Sequence, residues 1–116
     1  MEIKYVGTRT QEGCEVVKEV DGQSGGRLDP RLDLWNHSPT GFEWGYGGSG
    51  PAQLALALLA DATGQDRLAV ALHQDFKFKL VGRLPKEGFE MTAVEIEQWV
   101  EEAAKNLDLS DWEEGG

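Results

Sequence analysis

Gly41-Phe42-Glu43-Trp44-Gly45-Tyr46-Gly47-Gly48-Ser49-Gly50-Pro51 runs without a break into Ala52-Gln53-Leu54-Ala55-Leu56-Ala57-Leu58-Leu59-Ala60. Five of the first eleven residues are glycine and three are aromatic. Phe42, Trp44 and Tyr46 recur with period 2 opposite Glu43, Gly45 and Gly47. That spacing predicts a short strand over 42–46 with one aromatic face and one nearly bare face. Gly47-Gly48-Ser49-Gly50 then turns the chain into a helix from Pro51, whose fixed φ suits a first helical position. Gln53 alone interrupts the apolar run to Ala60, so this helix is expected to be central and buried. Fixing a glycine costs backbone entropy. So many in one turn imply a close approach to the backbone, made by a ligand or by the protein's own packing.

Upstream, residues 2–7 and 14–20 alternate apolar and polar side chains around the turn Thr10-Gln11-Glu12-Gly13, which predicts a hairpin. Asp21-Gly22-Gln23-Ser24-Gly25-Gly26 reads as a loop, and 28–34, with Asp29-Pro30, as partly extended. Downstream, Ala62-Thr63-Gly64 ends the first helix. Leu68, Leu72, Phe76 and Leu80 recur every four residues and predict a helix over 66–81, although Phe76, Phe78 and Leu80 also alternate with Lys77 and Lys79 as in a strand. The helical pattern covers more residues and is adopted. Leu84-Pro85 and Gly88 break the chain. Thr92-Ala93-Val94-Glu95 has the form of a capping box, opening a last helix that ends near Asn106. The expected fold is α+β: a small, mainly antiparallel sheet of about three strands (2–7, 14–20 and 42–46) covered by three helices.

With 116 residues, 40% of them hydrophobic, the chain suits one domain with one modest core, placed at 1–107. Residues 108–116 read as a flexible acidic tail. The longest apolar run, Leu54–Ala60, is too short to cross a bilayer, and Met1-Glu2-Ile3-Lys4-Tyr5 lacks a secretory layout. Cys14, without a second cysteine, cannot form an internal disulfide, so a cytoplasmic location is expected. A net charge of −10 repels phosphate backbones and argues against nucleic-acid binding, while permitting a basic protein partner. Residues 101–116 carry six acids against Lys105 and so hold half of that charge.

Gly45-Tyr46-Gly47-Gly48-Ser49-Gly50 matches the spacing of a dinucleotide fingerprint, but no second parallel strand leads to Asp66, and no Walker lysine follows. The free donors of a helix start still attract an anion, which could be a ligand or the chain's own Glu43, Asp33 or Ser49. His37 is a general base or a loop anchor, and with Asp33 and Ser38 it supplies the ingredients of a hydrolytic triad. His73 is expected on a partly exposed helix face. Two histidines and one cysteine without paired spacing predict no metal site. The aromatics Trp35, Phe42, Trp44, Tyr46 and Trp99 suit a core, with a ligand mouth as the alternative.

The run His37-Ser38-Pro39-Thr40-Gly41-Phe42-Glu43-Trp44-Gly45-Tyr46-Gly47-Gly48-Ser49-Gly50-Pro51-Ala52-Gln53-Leu54-Ala55, followed by Asp75-Phe76-Lys77, resembles a family of small prokaryotic proteins known only as a domain of unknown function. The likeness extends from Tyr5-Val6-Gly7 through Thr92 to Trp99. It implies an independent small domain, with members resembling accessory proteins of bacteria, archaea and mobile elements. It transfers no catalytic residue.

The function expected is a non-catalytic binding module gripping an anionic or nucleotide-like ligand where the glycine-rich turn meets the helix, lined by His37, Trp44, Tyr46, Gly48 and Ser49. No catalytic residue and no cofactor are assigned. An acidic inhibitor or adaptor that docks a basic protein, of the kind mobile elements carry against host defences, is one alternative. A small hydrolase using His37 is another.

Overall fold

A computed structural model describes residues 1–105; the stretch read as an acidic tail, 108–116, lies outside the described residues. The elements are β1 (Ile3–Thr10), β2 (Gly13–Val20), β3 (Gln23–Arg27), α1 (Ser49–Thr63), α2 (Asp66–Lys79), a 3₁₀ turn at Val81–Arg83, β4 (Gly88–Thr92) and α3 (Ala93–Ala104). The strands form one antiparallel sheet in the order β3-β2-β1-β4, so the fold is α+β with four strands rather than about three.

Three expectations that bear on the strands fail. Residues 42–46 form no strand. Gly45 sits at φ +85° and breaks the extended run, while its N–H donates to the Val81 carbonyl rather than to a ladder. Residues 21–26 are not all loop. Asp21 and Gly22 both take positive φ, as a tight hairpin turn requires, and 23–27 return as an exposed edge strand. Gly88, read as a break, opens β4. There Phe89 and Met91 alternate with Gly88, Glu90 and Thr92, so the period-2 signal is present in the sequence.

One face of the sheet carries Tyr5, Gly7, Val16, Phe89 and Met91 into the core. Gly7 pairs with Val16 on one side and Phe89 on the other, and the Phe89 ring occupies the space a Cβ would need. The opposite face carries the ion pair of Lys4 with Glu90, at 2.7 Å.

Against the core face lies α1, buried without interruption from Gly50 to Ala60. Its Asp61 accepts from the Tyr5 hydroxyl at 2.6 Å and pairs with Lys18 at 2.9 Å, which ties the helix to two strands. Gly64 closes the helix in the left-handed conformation. α2 packs along α1, with Leu72 and Phe76 buried and Phe76 edge-on to Trp99 of α3. The capping box at Thr92 and Glu95 forms as expected and turns β4 directly into α3. Among the described residues, no helix is long and apolar enough to cross a membrane.

Candidate functional site

Gln53 is the polar interruption of α1, and it is completely buried. Its Oε1 accepts from the backbone N–H groups of His37 (2.7 Å) and Ser38 (3.1 Å). Its Nε2 donates to the carbonyls of Pro30 (2.6 Å) and Trp35 (3.0 Å). The amide thereby uses both donors and both acceptor positions, as a buried amide must to avoid a desolvation penalty. These four bonds fasten the irregular segment 30–38 across the buried helix.

Next comes the glycine-rich junction. Gly48 is the N-cap of α1, extended and without a side-chain cap, and Pro51 contributes no donor to the first turn. The close approaches to its glycines are made by the protein itself. Lys86 and the Leu84 carbonyl occupy the space beside Gly45, the Tyr46 ring that beside Gly48, and the Glu43 stem that beside Gly50. Arg9 reaches over from β1 and grips the Glu43 carboxylate with both terminal nitrogens, at 2.8 and 3.1 Å. Its Nε donates to the Lys86 carbonyl, and its guanidinium stands 5.2 Å from the Trp44 ring centre. That grip holds the Glu43 carboxyl below the usual carboxylate range, with burial pulling the other way.

Trp44 is fully buried, packed edge-on to Phe89, and its indole N–H has no partner among the described residues. Tyr46 is about half exposed, and Ser49 is exposed. Arg9, Glu43, Trp44, Tyr46 and Lys86 border a shallow hollow of about 250 Å³. A second hollow, of about 360 Å³, lies where the β1–β2 hairpin meets Thr40–Phe42 and includes Cys14. Burial, then a hydrogen bond to Glu43, pushes the Cys14 thiol up, away from the reactive thiolate.

The third component is a histidine pair. His73 is buried rather than partly exposed, because the pinned loop lays Trp35 and His37 over it. The two Nε2 atoms are 2.9 Å apart, and His73 Nδ1 lies 2.5 Å from the Val70 carbonyl. A carbonyl can only accept, so Nδ1 of His73 carries the proton. Its Nε2 is then the acceptor, and His37 Nε2 donates. Trp35 stacks on His37 with ring centres 5.0 Å apart. Burial is the chief cause that lowers both imidazoles below their ordinary value, and the Lys77 ammonium adds to it in each. Lys77 is itself buried, at 9% exposure, and stands 4.2 Å from the Phe78 ring centre.

The structure thus joins Tyr46 to Gly48, seats Trp44 beneath the same junction, and leaves Ser49 at its rim. His37 belongs to the histidine pair. The triad ingredients are engaged elsewhere: Ser38 Oγ donates to the Gly41 carbonyl, and Asp33 pairs with Arg31. Neither Arg9 nor Lys77 is singled out by the sequence as a site residue: Arg9 stands in a strand far from the junction in sequence, and Lys77 reads only as part of the helical pattern.

These features define a small α+β domain in which an irregular loop, locked by one buried glutamine, crosses a buried helix. The chain belongs to the family of unknown function DUF6166, which matches residues 5–102, from β1 into the last turns of α3. Comparison with curated proteins and with solved structures gives no match.

Proposed function

We propose that this protein is a non-catalytic, cytoplasmic binding module that takes a small anionic or nucleotide-like ligand where Tyr46, Gly48 and Ser49 enter α1, with His37 and Trp44 as neighbours of that site. The observation that supports this reading is the hollow bordered by Arg9, Glu43, Trp44, Tyr46 and Lys86, in which Arg9 is already paired with Glu43, beside a helix start without a side-chain cap. A half-exposed tyrosine ring offers a stacking surface, and the helix dipole favours negative charge. A thermal-shift screen with nucleotides and inorganic phosphate tests it. Stabilisation by at least one anion at millimolar concentration, lost in Tyr46→Ala, is the expected result; a flat screen rejects the reading.

A second reading, an acidic inhibitor or adaptor for a basic protein, draws on α3, whose exposed positions include Glu95, Glu97, Glu101 and Glu102. It predicts salt-sensitive capture of a protein partner that weakens when Glu101 and Glu102 are changed to glutamine and is indifferent to Tyr46→Ala.

A further inference from the structure

In a chain of net charge −10, residues 76–86, Phe-Lys-Phe-Lys-Leu-Val-Gly-Arg-Leu-Pro-Lys, hold four cations and no acid. Lys77 is buried, and Lys79 is paired with Asp75. Arg83 and Lys86 are exposed and make no ion pair among the described residues, although Glu87 follows directly. The segment runs along the glycine-rich junction in a fixed order: the Phe78 ring beside Gly47, Gly82 beside the Tyr46 carbonyl, and the Lys86 stem beside Gly45. Phe78 is 62% exposed and Tyr46 about half exposed, so two rings and two unpaired cations share one strip.

The complementary chemistry stands elsewhere on the same molecule. A hollow of about 250 Å³ lies where the end of α1 and the start of α2 meet α3. Ala62, Leu68 and Val100 line it beside Thr63 and Gln65, together with Glu97 and Glu101. Neither glutamate makes an ion pair among the described residues, and Val94, exposed, stands one turn before Glu97 on the same helix face. The strip adjoins the start of α1 and the end of α2, whereas the hollow adjoins the other two ends of that helix pair. One copy therefore cannot satisfy its own strip with its own hollow.

We infer that the chain associates head to tail with a second copy of itself: the Phe78 ring of one copy enters the hollow of the next, and Arg83 and Lys86 meet Glu97 and Glu101. This rests on the second reading above, in which α3 meets a basic surface, and names that surface. Because the two surfaces differ, the contact does not close on itself, and strings of copies grow with concentration. A strip and a hollow of this size make a weak, reversible contact. The net charge opposes it, but at about 0.15 M salt repulsion is screened beyond about 8 Å, and the adjoining groups decide.

Sedimentation equilibrium of the full chain at about 0.15 M salt tests it. The expected result is a weight-average mass that rises with concentration above that of one chain. Phe78→Ala, the pair Arg83→Glu and Lys86→Glu, and the pair Glu97→Lys and Glu101→Lys each weaken the association by about tenfold or more. Mixing the two charge-reversed chains restores it, since each supplies the surface that the other lacks, and restoration also shows that both are folded. A mixture that stays as single chains overturns the contact, and so does association indifferent to either pair. A wild-type chain that remains single up to about 1 mM overturns the self-contact alone, because capture of a different basic protein remains the separate test of the second reading.

Discussion

Gln53 ties segment 30–38 to α1 through four hydrogen bonds made by one buried amide. A leucine in its place would fill a similar volume, yet it would strand two backbone N–H groups and two carbonyls beneath the loop. Gln53→Leu is therefore expected to destabilise the fold by about 2–4 kcal/mol, read as a lowered urea midpoint. An unchanged midpoint would mean that the loop is held by something other than this amide. The sequence announced that Gln53 was exceptional, since it is the one polar residue in the apolar run. It did not announce the partners, because segment 30–38 carries no periodicity to say where it lies. The burial of His73 was hidden for the same reason: a helical pattern assigns faces within α2 but says nothing of the loop that covers it.

Among the elements, β1 shows how a glycine can be a core residue. Phe89 of β4 occupies the space over Gly7, and the two are register partners. Gly7→Ala forces the ring off its seat and is expected to cost roughly 1–3 kcal/mol in an overpacked core, with Phe89→Leu partly relieving it. Additive loss in the double variant would refute the contact as the cause. The helices were legible throughout: the Gly64 stop, the period of four in α2, and the Thr92-Glu95 box each carry their signal within a few residues. The strands were less so. Residues 42–46 have the alternation of a strand but lack a neighbour to pair with. Residues 23–27 lack the alternation and pair regardless, because an exposed edge strand needs backbone contacts more than apolar side chains. Of the five glycines in 41–50, Gly45, Gly48 and Gly50 are closely approached, by the protein's own atoms, whereas Gly47 meets only an ordinary contact and Gly41 has nothing within 4 Å.

For the molecule as a whole, the histidine pair sets an acid limit on stability. Both imidazoles have folded-state values below the ordinary histidine value of about 6.5. The unfolded chain therefore binds more protons in that range, so stability is fully present above about pH 6.5 and falls as pH drops toward the folded values. Glu43 and Asp66, both lowered by arginines, add a separate loss only in the carboxylate range. Urea midpoints at about pH 7.5 and 5.5 separate the two: the midpoint is expected to fall, and to fall less in His73→Gln. A midpoint that does not move between these values would contradict the burial of the pair.

The strand order has a consequence for how the chain reaches this state. β1, β2 and β3 are neighbours in sequence and need only two tight turns to pair. β4 joins β1 across the whole of the loop and both long helices, closing Gly7 under Phe89 from 82 positions away. Until that closure, the N-terminal meander presents a bare, glycine-notched edge of β1 to any passing strand. Closing so long a loop is entropically costly and comes late, so a chain emerging from the ribosome exposes this edge until nearly all of the domain has been made.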